Sequence, residues 1–241
     1  MSNESTIWLD EQHPFEAAQS ELQIASIVRL LGESPKRILD LGCGIGRILL
    51  PLDQCGHAVT GIDCVDDALA TCRANTVARD TKAHLIHGDF CNPLTWNRLS
   101  EGAWDAVICL GNTWMTLVEV RTAVEVMRRI ERVLKPKGLF LLDNFTHDFW
   151  PELTAGNWGT GISPDGSMQM IWADDDTVFT IRKGKRVEPE CEVLRPDDRL
   201  FRLWTQGALT LAAYGAGLSA PVCDEAGCVL VMHPERPSED G

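Results

Sequence analysis

Ile38-Leu39-Asp40-Leu41-Gly42-Cys43-Gly44-Ile45-Gly46-Arg47 is the stretch on which the fold turns. Residues 37–41 form a short apolar run of strand length that ends in three closely spaced glycines. A helical pattern resumes over residues 45–55, with Pro51 tolerable only near its first turns or at a kink. A strand, tight loop and helix in this order place the loop at the carboxyl edge of an open α/β sheet, where such folds bind ligands. Glycine is needed there because a side chain would hold the backbone away from a ligand and because the turn calls for positive φ. The G-x-G-x-x-G fingerprint of dinucleotide sites would put its third glycine at position 47, but Arg47 stands there and the third glycine is Gly46. That disfavours a nicotinamide or flavin pyrophosphate, and the missing Gly-Lys-[Ser/Thr] excludes a P-loop.

Outward from this unit the strand and helix pattern repeats. A helix is predicted upstream over residues 15–31, where Leu22, Ala25, Ile27, Val28, Leu30 and Leu31 approximate an apolar face and Gly32 supplies a stop. Downstream, strands are predicted over 57–62, 83–87, 104–109 and 139–145, and helices over 66–79 and 119–134. Lys135-Pro136-Lys137-Gly138 ends the last of these helices. This order implies a mostly parallel sheet covered on both faces. From residue 146 to 166 glycine, proline and tryptophan replace regular periodicity, and residues 168–172, 177–182 and 200–204 read as short antiparallel strands. A final helix is expected over 205–217, a final strand over 228–233, and a frayed tail from Pro234.

Two carboxylates fall at the same sheet edge. Asp63 closes the second strand twenty-one residues after Gly42, where an acidic side chain accepts hydrogen bonds from both ribose hydroxyls. A helix N-cap is its competing role, although Asp66 and Asp67 are better placed for that. His87-Gly88-Asp89-Phe90 ends the third strand with a carboxylate suited to an exocyclic adenine amine and a ring suited to an apolar wall. Nucleoside recognition without a phosphate grip is what remains.

As a set, segment 38–47, Asp63, Gly88-Asp89 and Ile130-Glu131-Arg132-Val133-Leu134-Lys135-Pro136-Lys137-Gly138 resemble the class I S-adenosylmethionine-dependent methyltransferases over roughly residues 20 to 145. The resemblance implies an α/β fold: a Rossmann-like, mostly parallel seven-stranded sheet with helices on both faces and a small antiparallel lid after strand five. Residues 1–36 would form an N-terminal helical segment, 37–145 the cofactor-binding core, 146–204 the acceptor-side lid, and 205–241 a helix and strand completing the sheet. It further implies that Asp40, Gly42, Cys43, Gly44 and Gly46 surround the methionine moiety of S-adenosylmethionine, that Asp63 with Cys64 serves the ribose, and that Asp89 and Phe90 contact adenine. The stretch from Asp105 to Trp114 is similar to the corresponding strand of glycine N-methyltransferase and related small-molecule enzymes. By that similarity a backbone carbonyl near Leu110 would bind the methionine amino group, and Asn112 and Trp114 would face the acceptor.

Methyl transfer from a sulfonium is an in-line displacement, so alignment and exclusion of water matter more than strong acids or bases. His147 and Asp148 follow the fifth strand as candidates for a base, with a surface histidine as the plainer fate of His147; His13 has the same status. Asn112 and His147 are thus the catalytic candidates. Trp150, Trp158, Trp172 and Trp204, with Arg182, Arg199 and Arg202, supply either an acceptor pocket or the core of the lid itself, and Arg202 and Trp204 are the acceptor-binding candidates. The fourth strand lacks the [Asp/Asn]-Pro-Pro-aromatic pattern of base-amino methyltransferases, and Cys109 reads as a small buried apolar residue rather than a nucleophile. Asp143-Asn144 is similar to the Mg²⁺ ligands of catechol-type O-methyltransferases, but Gly111 and Asn112 stand where a further carboxylate would be needed, and no metal is expected.

Composition narrows the partners. A net charge of −13 repels a nucleic-acid backbone. Nine scattered cysteines without C-x-x-C spacing read as reduced thiols, with Cys223 and Cys228 flanking a solvated turn. No segment approaches the length of a membrane span or a signal sequence, so a cytoplasmic protein is expected, acting on a small-molecule acceptor and compatible with a homodimer. A protein or peptide methyltransferase and a non-catalytic S-adenosylmethionine-binding module are the alternatives.

Overall fold

The computed structural model describes residues 17–144 and 161–235. In chain order its strands are β1 (Arg37–Leu41), β2 (Ala58–Asp63), β3 (His84–His87), β4 (Trp104–Cys109), β5 (Leu134–Asp143), β6 (Met168–Trp172), β7 (Val178–Lys183), β8 (Leu200–Arg202), β9 (Val222–Cys223) and β10 (Val229–Met232). The helices are α1 (Ala17–Leu31), α2 (Leu49–Gln54), α3 (Asp66–Ala78), α4 (Pro93–Trp96), α5 (Val120–Val133) and α6 (Gln206–Gly215). Seven strands form one sheet in the order β3-β2-β1-β4-β5-β10-β9. The first five are parallel, and β10 runs antiparallel to both β5 and β9. Strand order reverses between β1 and β4, which opens a crevice at their carboxyl ends.

Alternation along each strand builds two cores. Ile38, Ala106, Ile108 and Leu141 face a layer containing Ile27 and Leu31 of α1, Leu49 and Leu52 of α2, and Leu69 of α3. Leu39, Leu41, Val107, Cys109, Phe140 and Leu142 face the opposite layer, with α5 and α6. Helix α5 buries Ala123, Val126, Met127, Ile130 and Val133, a stripe at helical spacing.

Several expected boundaries move for local reasons. The helix predicted from residue 45 begins at Leu49, which puts Pro51 in the first turn, where its missing N–H breaks no helical bond. Strand β5 begins at Leu134 rather than 139: Leu134 pairs with Trp104 and Leu139 with Ala106, so residues 135–138 form a bulge. On α1 the inward stripe is Gln23, Ser26, Ile27 and Leu31, while Leu22 is 55% exposed. The apolar face read from the sequence was therefore rotated, because two polar residues take inward positions. Cys223 and Cys228 flank a hairpin turn whose Asp224 accepts from the backbone N–H groups of Ala226, Cys228 and Val229.

A separate three-stranded antiparallel sheet, β6-β7-β8, packs Met170, Trp172, Phe179, Ile181 and Phe201 against the core on the α5 side. Its other face is polar, and most of its buried groups are paired, Arg182 Nη1 being an exception. The Arg182 guanidinium makes two bonds to Asp198, at 2.9 and 2.6 Å, and a third to the Val193 carbonyl at 3.0 Å. Gln169 pins the backbone of Glu188 and Cys191. Asp198→Ala would leave a buried guanidinium without its counter-ion and should cost about 3–5 kcal/mol. Urea titration followed by tryptophan fluorescence checks this, and a loss below about 1 kcal/mol would mean that the pair contributes little.

Candidate functional site

The carboxyl ends of β1, β2, β4 and β5 converge on the glycine loop. Gly42 and Cys43 both donate their N–H groups to the Ile62 carbonyl, at 2.8 and 3.1 Å, which moors the loop to β2. Gly42 has φ of +73°, and a Cβ there would lie 2.4 Å from Thr113 Cγ2, so the loop and the turn after β4 are in direct contact. Gly44 differs. Its φ is +52°, but a Cβ there would meet nothing within 4 Å, so its backbone borders open space. Gly46 packs on Leu50 and Cys72, and the Cys43 sulfur lies over Gly61. Cys43 is thus buried beneath the loop, and only its backbone belongs to the site.

Acidic groups gather at this end of the sheet. Asp63 Oδ2 accepts from Gly44 N at 2.8 Å and Oδ1 from Val65 N at 2.9 Å, fixing the carboxylate at the end of β2 while each oxygen keeps a further lone pair. Asp40, 4% exposed at the end of β1, is pushed up to about 7 by burial, against the pull of Arg47 and with a further push from Asp63 and Asp143. Asp143 at the end of β5 is raised by burial to about 6, opposed by its hydrogen bonds and by Arg47. Its oxygens accept from Gly111 N at 3.2 Å, Asn112 N at 2.8 Å and Gln23 Nε2 at 3.0 Å. Gly111 and Asn112 both have positive φ, +77° and +60°, so Asp143 clamps a left-handed turn that includes a non-glycine residue. One cation, Arg47, balances three buried carboxylates, which leaves an excess of negative charge suited to a cationic ligand.

The other candidate residues divide between edge and core. Asp89 is exposed beyond β3, with Oδ1 accepting from Cys91 N at 2.7 Å, and exposed Cys64 sits between Asp63 and Asp89. Leu110 is buried, and its carbonyl already accepts from Thr113 Oγ1 at 2.9 Å, with one lone pair left. Asn112 is half-buried at the crevice.

Four further candidates lie in the core or in ion pairs. Phe90 is a core residue whose carbonyl is held by Trp96 Nε1 at 2.7 Å, so it offers little open wall. Trp114 is completely buried, packed on Phe140 and Trp204, and does not face an acceptor space. Trp204 is equally buried and donates to the Leu117 carbonyl at 3.2 Å. Arg202 is occupied, with Asp176 at 2.7 and 2.6 Å and the Val118 carbonyl at 2.6 Å. The small sheet meets the turn after β4, and their largest apolar surfaces become mutual core, which is why these tryptophans point inward. His147, Asp148, Trp150, Trp158 and His13 lie outside the described residues. Among the described residues no cluster of three or more potential ligands is placed to hold a metal ion, and no helix is long and apolar enough to cross a membrane.

The sequence reading missed Gln23 and the role of Arg47. Arg47 figured only as the residue that breaks a dinucleotide fingerprint, and Asp143 only as half of a metal-like pair. The available signal was a glutamine within an otherwise apolar helical stripe.

Residues 38–138 match the family model described as a methyltransferase domain. A glycine/sarcosine N-methyltransferase of Parasynechococcus marenigrum is 31% identical over 132 residues, covering 54% of this chain and 46% of that protein. A ubiquinone biosynthesis O-methyltransferase of Hydrogenovibrio crunogenus is 28% identical, covering 61% of this chain and 59% of that one. The chain thus spans about half the length of the curated relatives it matches. Among solved structures, an S-adenosylmethionine-dependent methyltransferase of Clostridium acetobutylicum superposes with a TM-score of 0.66 at 13% identity, covering 92% of this chain and 94% of that one, a likeness of fold. Residues 38–138 thus match a methyltransferase domain, and the fold is that of the class I S-adenosylmethionine-dependent methyltransferases. The site fits that cofactor: Gly44 borders open space for close backbone approach, Asp63 is fixed with lone pairs to spare, and the excess of carboxylates suits a ligand carrying a sulfonium and an ammonium.

Gly42 and Gly44 give opposite expectations. Gly44→Val should leave the protein folded, at a cost of about 1–2 kcal/mol for the left-handed backbone, yet abolish S-adenosylmethionine binding. Gly42→Val should disrupt the loop itself through Thr113. Thermal unfolding beside calorimetric titration separates them, and normal binding by Gly44→Val would displace the cofactor from this loop. Asp40 gives a pH signature. Its folded value lies above its unfolded one, so ionisation favours unfolding, and stability is lost as pH rises from about 4 to about 7. Asp40→Asn should therefore raise the ligand-free Tm at pH 8 by about 2–4 °C per kcal/mol relieved, converge with wild type near pH 4, and bind cofactor less well. A Tm difference that is the same at both pH values would refute a buried carboxylate under strain.

Proposed function

We propose that the protein transfers a methyl group from S-adenosylmethionine to nitrogen or oxygen of a small-molecule acceptor by in-line displacement. The observation that carries this reading is the open space at Gly44, whose N–H is held by Asp63, at the strand-switch crevice near the buried Asp40 and Asp143. S-adenosylmethionine supplies, when bound, an electrophilic methyl group on a positively charged sulfur. The Gly44 backbone admits the methionine portion, Asp63 holds the ribose hydroxyls, Asp89 stands at the adenine end, and the Leu110 carbonyl receives the amino group. Asp40 and Asp143 balance the positive charge in a site of low polarisability, where such interactions are strong. Asn112, held beside this crevice by Asp143, orients the acceptor, and His147, which follows β5 in the sequence, is the candidate for taking up its proton.

A small acceptor is favoured because the net charge of −13 disfavours nucleic acid and because Trp114, Trp204 and Arg202, which would otherwise shape a broad acceptor surface, are committed to the core and to ion pairing. Nine free thiols accord with residence in a reducing cytoplasm. An acidic protein also suits a basic peptide acceptor, so the acceptor screen spans amines, phenols and short basic peptides.

Isothermal titration with S-adenosylmethionine and S-adenosylhomocysteine, with NADH as control, tests the reading. Binding of the first two alone is expected, weakened by about 1–3 kcal/mol in Asp63→Ala through loss of charge-assisted hydrogen bonds. Binding of NADH alone, or of none of the three, would overturn it.

A further inference from the structure

Gln23 lies near the middle of α1, 1% exposed, at a position where the helix stripe calls for an apolar side chain. A buried amide is costly unless both its ends are satisfied. Here both are: Nε2 donates to Asp143 Oδ1 at 3.0 Å, and Oε1 accepts from Arg47 Nη1 at 2.8 Å. Arg47 Nη1 also reaches Ser20 Oγ, one turn earlier on the same helix, at 3.1 Å. Helix α1 therefore grips the two opposite charges of the site, the arginine that follows the glycine loop and the carboxylate at the end of β5.

What Asp143 does with its remaining capacity gives this contact a functional direction. It receives the N–H groups of Gly111 and Asn112, whose left-handed turn is unfavourable for an asparagine without such support. That turn follows the Leu110 carbonyl and carries Asn112. We infer that Gln23 is a positioning residue for methyl transfer, aiming an ionised Asp143 at the 111–112 turn so that the Leu110 carbonyl and Asn112 meet cofactor and acceptor. The inference rests on the methyltransferase reading above.

Other groups around Asp143 leave Gln23 a definite part. Arg47 faces it from the segment after the glycine loop and favours its charged form, while Asp40 from β1 and Cys109 from β4 lie close enough to be coupled to it. β10 pairs with it through apolar Val229. Among the described residues Gln23 is the neutral side-chain donor that bonds it directly. Loss of a hydrogen bond to the charged form raises a carboxylic acid's pKa. A protonated Asp143 gives up acceptor capacity, and the turn then loses its clamp.

Gln23→Met keeps the volume and the helix propensity and removes only the amide. In the ligand-free protein, the Asp143 carboxyl titration followed by carbon NMR should move up by about one pH unit in this variant. The Kd for S-adenosylhomocysteine, measured by calorimetry from pH 5.5 to 8.5, should rise about tenfold near neutrality and lose its acid limb at a correspondingly higher pH. In an Asp143→Asn background the same substitution should no longer displace the acid limb. An unmoved Asp143 titration overturns the inference. So does a moved titration with an unchanged Kd, or a displacement that persists undiminished in the double variant. If wild type itself binds neither S-adenosylmethionine nor its product, the methyltransferase reading falls and the positioning role with it, while a shifted Asp143 titration would still show the Gln23 bond to be structural.

Discussion

Three carboxylates buried near the carboxyl ends of parallel strands of one sheet, with the Arg47 guanidinium beside them, form the constraint around which this structure is arranged. Parallel strands β1, β2 and β5 bring Asp40, Asp63 and Asp143 to one edge, Asp63 and Asp143 closing their strands and Asp40 standing one residue before the end of its own. Burial and mutual repulsion raise the first and burial the last, so the ligand-free site holds charge it would rather discharge. A cationic ligand relieves that repulsion. The same feature that costs stability in the empty protein therefore favours binding, a trade common at functional sites.

The loops at this edge are shaped by contact with each other. Gly42 is required because Thr113 sits against it, and Thr113 is placed by its bond to the Leu110 carbonyl. Asp143 holds the adjoining turn, and helix α1 holds Asp143. The crevice is consequently preorganised by side chains from elements far apart in sequence, and the 120-residue separation of Gln23 and Asp143 is the clearest case. The small β6-β7-β8 sheet adds bulk over the α5 layer through Phe179 and Met170, and ties back to the turn after β4 through Arg202 and the Val118 carbonyl.

Much of this was legible from periodicity and spacing. Alternating apolar residues in β1, β4 and β5, the stripe of α5, and glycines followed by Asp63 at the next strand end each follow from local rules that hold wherever the chain folds. Where reading failed, a partner remote in sequence had overridden the local rule. Leu22 looked inward by composition, but Gln23 takes the inward place because Asp143 and Arg47 are there to satisfy it. Trp114 and Trp204 looked available for an acceptor, but packing between the small sheet and the turn after β4 claimed their surface.

The sequence by itself determined the α/β class, the parallel core, the glycine loop and the identity of the acidic edge residues, since strand and helix periodicity and turn chemistry depend on neighbours within a few positions. Only the tertiary structure decided that Arg47, Asp143 and Gln23 form one connected unit, that Arg182 and Arg202 are consumed by ion pairs, and that the lid tryptophan Trp204 is core. Charge and burial are properties of what surrounds a side chain in space, and those surroundings are assembled from segments that no local pattern joins.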